Sequence, residues 1–129
     1  MEIRHGGDMT YHIVIHGRLP GCNEYIAACR TNKYIGAKMK KEAQELVKWQ
    51  ITRLPKLRGK VEISFTWYEP NARRDFDNVA FGKKFILDAL QELGKLEDDD
   101  RKHVVGFTDT FAVDKADPRI ELTIKEIEQ

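Results

Sequence analysis

The chain has 129 residues, 41% hydrophobic and 33% charged, with 22 basic side chains against 21 acidic ones. That length fits one domain whose core buries roughly two-thirds of the unfolded surface, and no apolar run approaches the ~20 residues that span a bilayer. A net charge of +1 excludes a chain that is a polyanion-binding patch all over, so the distribution of charge matters more than its sum.

Residues 1–8 include Arg4 and His5 but no apolar stretch, so they are no secretory signal. They read as a disordered leader or an expression remnant, and 9–129 as the folded domain. Tyr11 to His16 is rich in β-branched residues and ends at Gly17, which predicts the first strand. Leu19-Pro20-Gly21-Cys22-Asn23 is punctuated as a loop. The two cysteines, Cys22 and Cys29, form neither a disulfide framework nor a close metal-binding motif, and read as reduced cytosolic thiols.

From about Lys38 to Arg53, Ala43, Leu46, Val47 and Ile51 recur at helical spacing, and Pro55 stops the pattern. After a basic connector, Lys56 to Lys60, the apolar Val61, Ile63, Phe65 and Trp67 alternate with Glu62, Ser64, Thr66 and Tyr68. That period of two predicts a strand with one buried face, ended by Pro70 and Asn71. Asn78 to about Leu93 carries the apolar stripe of a second helix, capped by Asp77 or Asn78 and stopped by Gly94. Glu97-Asp98-Asp99-Asp100 follows as an acidic turn. Val104–Val113 and the alternating segment around Ile120, Leu122 and Ile124 read as strands, joined through Asp117-Pro118. The class is therefore α/β: a single domain with a mixed sheet of about four strands and two main helices.

Arg73-Arg74-Asp75-Phe76-Asp77-Asn78 is the segment that speaks to chemistry. Two carboxylates stand one residue apart, flanked by guanidinium groups, at the mouth of a helix. The plain alternative is a helix cap plus a solvated turn charge. Convergence of Asp75 and Asp77 with the acidic turn would create mutual repulsion that a divalent cation relieves. Hard oxygen ligands suit Mg²⁺, with Mn²⁺ as a second choice. The helix between the two acidic groups is over 20 Å long, so they meet only if the chain after Gly94 doubles back. Lys83 and Lys84, in the first turns of that helix, are candidates to offset charge on a reacting phosphate. Lys56, Arg58, Lys60, Arg73, Arg74, Arg101 and Lys102 are candidates for a phosphate-binding face.

Together these residues resemble the RusA-type Holliday junction resolvases. The resemblance rests on Arg73 to Asn78, then Lys83-Lys84, Leu87-Asp88-Ala89-Leu90, Gly94 and Asp98-Asp99. The first loop, Leu19 to Asn23, and the closing Arg119-Ile120-Glu121-Leu122-Thr123-Ile124 are also similar, so the match covers nearly the whole chain after Met9. It implies a Mg²⁺-dependent homodimeric endonuclease, often prophage-encoded and cytoplasmic, that cuts four-way DNA junctions in recombination and repair. By position, Asp75, Asp77 and Asp99 match the catalytic carboxylates, with Asp98 and Asp100 flanking the third. Counting back from Asp88 favours Lys84 as the catalytic lysine; counting forward from Asp77 favours Lys83. Cys22 stands where the family usually has Ser. Two rival functions remain: a DNA-binding module of the same fold without catalysis, and a metal-dependent hydrolase of small phosphate esters.

Overall fold

The computed structural model describes residues 2–5, 8–97 and 101–127, and for residues 2–5 and 8 the backbone alone. The elements in chain order are β1 (Glu2–His5), β2 (Asp8–His16), α1 (Cys22–Thr31), α2 (Lys33–Ile51), β3 (Lys60–Glu69), α3 (Phe76–Ala80), α4 (Lys83–Glu92), β4 (Val104–Val113) and β5 (Arg119–Ile127). They form one sheet in the order β1-β2-β5-β3-β4. Only β3 and β4 run parallel; the other neighbours are antiparallel. A parallel pair needs a crossover, and α3 and α4 supply it.

The expected class holds: a single mixed α/β domain. The four expected strands form the body of the sheet, and the backbone of Glu2–His5, read from sequence as a leader, pairs with β2 at its margin. The alternation in β3 places Val61, Ile63, Phe65 and Trp67 in the core, beside Ile120, Leu122 and Ile124 of β5 and Tyr11, Ile13 and Ile15 of β2. Helices cover this face alone. Val47, Ile51, Phe85, Ile86 and Leu90 close the core from above, each worth roughly 1.5–3 kcal/mol of burial. The other face is polar and open.

Two helical assignments change. The stretch after the first loop is helical from Cys22, and α2 begins at Lys33 rather than near Lys38. The second expected helix is two helices, α3 and α4, broken at Phe81-Gly82. A side chain at Gly82 would meet Leu19 at 3.1 Å and Trp67 at 3.2 Å, so the break presses the backbone onto the sheet. Gly94, with φ +69, takes the left-handed conformation that ends α4, as its position in the sequence suggested.

Candidate functional site

The Asp-Phe-Asp segment follows the C-terminal end of β3 and opens α3. Asp75 is its N-cap residue and Asp77 lies in its first turn. Both are exposed, and among the described residues neither forms an ion pair. Between them, Phe76 lies flat on Phe111 of β4, with ring centroids 4.1 Å apart and planes 5° apart. That stack fixes the start of α3 against the outer strand of the sheet.

Arg74 is held inside the chain. Its guanidinium donates to Glu69 at 2.8 Å through Nε, to the Leu19 carbonyl at 3.2 Å and to Glu24 at 3.1 Å. Glu69 also accepts from Arg18 at 2.9 Å. Asn78 accepts from the backbone N–H of Asn23 at 2.9 Å. The first loop is thereby tied to the motif from both sides. Gly21 sits at the junction, where a Cβ would fall 2.7 Å from Asn78 Oδ1 and 3.0 Å from Arg74 Nη1. Arg73 is exposed and keeps its charge toward solvent.

The two lysines part company. Lys83 turns onto the sheet, 2.7 Å from Asp109 of β4, with its ammonium 5.2 Å from the Phe65 ring centroid and 4.7 Å from that of Phe107. Asp109 also accepts from the indole N–H of buried Trp67 at 2.9 Å. Lys84 is exposed and takes no ion pair among the described residues. Asp109 escaped the sequence reading, although an acid between Thr108 and Thr110, in phase with Phe107 and Phe111, was the available signal. An inward-facing carboxylate in such a strand needs a partner.

Asp98, Asp99 and Asp100 lie outside the described residues. Their described neighbours lie at the other end of the sheet: Lys95 accepts from Leu57 at 2.7 Å, His103 accepts from Val61 at 2.8 Å, and His103 sits 3.4 Å from Glu97. The ten residues of β3 separate that end from Asp75 by about 30 Å. Lys56, Arg58 and Lys60, and Arg101 and Lys102, belong to the same far end, before β3 and β4 respectively. The expected basic face is thus split, with Arg73 and Arg74 at the carboxylate end and the other five cations at the opposite end.

Among the described residues, no three His, Cys, Asp or Glu side chains come together as a metal site. Asp75 and Asp77 offer exposed hard oxygen donors that form no ion pair among the described residues, which fits Mg²⁺ or Mn²⁺ in donor chemistry. No helix among the described residues is long and apolar enough to cross a membrane. Compared with protein-family models and with curated proteins, the chain matches none.

Proposed function

We propose that this chain is a Mg²⁺-dependent, structure-selective endodeoxyribonuclease that cuts four-way DNA junctions as a homodimer in the cytoplasm. The observation that carries it is the presentation of Asp75 and Asp77. Both carboxylates stand exposed at the head of α3, on a backbone pinned by Arg74, Asn78 and the Phe76–Phe111 stack. Asp75 makes no side-chain hydrogen bond as the N-cap of α3, and among the described residues neither acid is ion-paired, in contrast to Glu69, Asp109 and Asp114.

In this reading Asp75 and Asp77 hold the metal. Asp99, the third carboxylate the resemblance implies, lies outside the described residues and its described neighbours stand at the far end of β3, so the metal reading rests on the first pair. A divalent ion bound there supplies Lewis acidity and lowers the pKa of its water. Arg73 faces solvent beside the carboxylates and engages the DNA backbone. Lys84, uncommitted at the start of α4, offsets negative charge developing on the phosphate. Lys83 acts indirectly, because its charge is already shared with Asp109.

The test is cleavage of a labelled four-way junction with and without Mg²⁺. Wild type nicks the junction only with the metal, and Asp75→Asn keeps junction binding while losing nicking by at least about a hundredfold. Full activity in Asp75→Asn would overturn the assignment. Junction binding with no nicking by wild type under any divalent ion would favour the silent DNA-binding module.

A further inference from the structure

β4 lies at one edge of the sheet and pairs with β3 alone. Its outer row of backbone donors and acceptors faces away from β3, and among the described residues no strand lies beyond it. Natural edge strands of this length are guarded by Lys, Pro or an inward charge. Val-Val-Gly-Phe-Thr-Asp-Thr-Phe-Ala-Val carries neither Lys nor Pro, and its single Asp is already neutralised by Lys83. Val105, Phe107 and Val113 are 44%, 43% and 57% exposed. Apart from a register shift at Val105, between the Val61–Val104 and Glu62–Gly106 pairs, the ten-residue strand has no Lys or Pro to guard its edge.

The sequence of β4 also reads nearly the same in both directions about Asp109. Thr108 mirrors Thr110, Phe107 mirrors Phe111, Gly106 mirrors Ala112 and Val105 mirrors Val113. A two-fold axis through Asp109 would place each residue opposite its mirror image in an antiparallel pair. An isologous contact requires this kind of self-matching.

We propose that β4 pairs antiparallel with β4 of a second copy of this chain, centred on Asp109, to give a continuous sheet of ten strands, five from each copy. The inference gives a surface to the dimer of the proposed function and rests on that reading for its purpose. Phe107 of each copy then covers the Phe76–Phe111 stack of the other, and Phe76 is 66% exposed in the single chain. The two central carboxylates would repel as bare charges, but each arrives with an ammonium 2.7 Å away. Charge at the ends is complementary too. The end of the sheet that holds Arg101 and Lys60 in one copy comes beside the end with exposed Asp75 and Asp77 in the other. The axis stands perpendicular to the sheet, so both helix layers, and both copies of α3, share one face. The two Phe76–Phe111 stacks lie about 13 Å apart along the strand direction, four residues of rise.

Thr108 and Thr110 test the register without touching the core, because both are exposed and face away from the helices. Thr108→Lys with Thr110→Lys sets lysines opposite lysines across the axis and weakens the dimer about tenfold or more in sedimentation velocity. Thr108→Lys with Thr110→Glu sets Lys opposite Glu and restores wild-type association. Unchanged melting midpoints at low protein concentration show that each variant folds. A monomeric wild type at 100 μM (roughly the upper end for a functional dimer), or a double-lysine variant that stays fully dimeric, overturns the proposal. So does failure of the Lys/Glu variant to recover. A dimer that behaves as expected but never nicks DNA refutes the nuclease reading and leaves the interface standing.

Discussion

Lys83 and Lys84 are adjacent in sequence and lead different lives. Lys83 is 18% exposed and Asp109 24% exposed, so their ion pair is partly desolvated. Asp109→Asn leaves a half-buried ammonium facing an amide and disturbs the Trp67 hydrogen bond; the expected cost is about 1–3 kcal/mol, read from denaturant unfolding. Lys84→Met changes stability by less than about 0.5 kcal/mol, since it removes an exposed, unpaired charge. It nevertheless lowers the nicking rate with binding retained. A Lys83→Met variant that is as stable as wild type would reverse these roles. Residue identity alone left this pair open, because the choice depends on which lysine Asp109 meets, and that contact spans 26 positions of the chain.

Arg119 organises the turn before β5. It bonds Asp114 at 2.7 Å and Glu121 at 2.7 Å, and lies 3.8 Å from the Tyr68 ring centroid. Its hydrogen bond holds the Asp114 carboxyl below its ordinary value of 3.8. A carboxylate lowered in the folded state stabilises fully above that ordinary value. The contribution fades as pH falls through the lowered folded value. Melting midpoints of wild type and Asp114→Asn are therefore expected to differ at pH 6, to go on differing at pH 3.8, and to converge only at pH values below the lowered folded one. A constant difference across that range would show that the carboxylate's charge is not what matters.

At the scale of elements, the strands were legible because one face of each is buried, which writes a period of two into the residues. Helix α1 was not. Of its residues only Ala28 is buried, so it lacks the apolar stripe that marks α4. α1 is held by a close crossing with α2, where a Cβ on Gly36 would fall 2.5 Å from Cys29 Sγ, and by Tyr25 packed against Phe81 and Phe85. A buried glycine contact leaves no hydrophobic period. The break between α3 and α4 was hidden for a related reason: the apolar residues keep helical spacing through Gly82, and only Trp67 and Leu19 beneath it demand the kink. The link between the first loop and the Asp-Phe-Asp motif joins Gly21 to Arg74 and Asn78, and its presence makes a prediction. Gly21→Ala forces Asn78 and Arg74 to move, at about 1–3 kcal/mol for overpacking. Because Gly21 itself lies against Asn78 and Arg74 rather than the sheet interior, junction nicking falls further than the shift in unfolding midpoint accounts for. Unaltered nicking in a destabilised Gly21→Ala protein would show that the loop does not position the carboxylates.

At the scale of the molecule, one layer of helices lies on one sheet, and the candidate site sits at the end of that sheet nearest its unguarded edge. Under the proposed function, a two-fold dimer would present one Asp75–Asp77 pair to each of the junction's two equivalent strands. Both incisions then occur within one encounter. On a supercoiled plasmid that extrudes a cruciform, paired incision yields linear DNA, whereas a single incision relaxes the plasmid and removes the substrate before a second can follow. Wild type is therefore expected to give mainly linear product above the dimer dissociation constant and mainly nicked circles well below it. The double-lysine variant of Thr108 and Thr110 gives nicked circles at concentrations where wild type gives linear DNA, and the Lys/Glu variant recovers the linear product. Equal linear yield from all three proteins at every concentration would mean that paired cutting does not pass through β4. The carboxylate chemistry would still stand in that case, because nicking by itself reads the site around Asp75 and Asp77 and not the pairing of the two cuts.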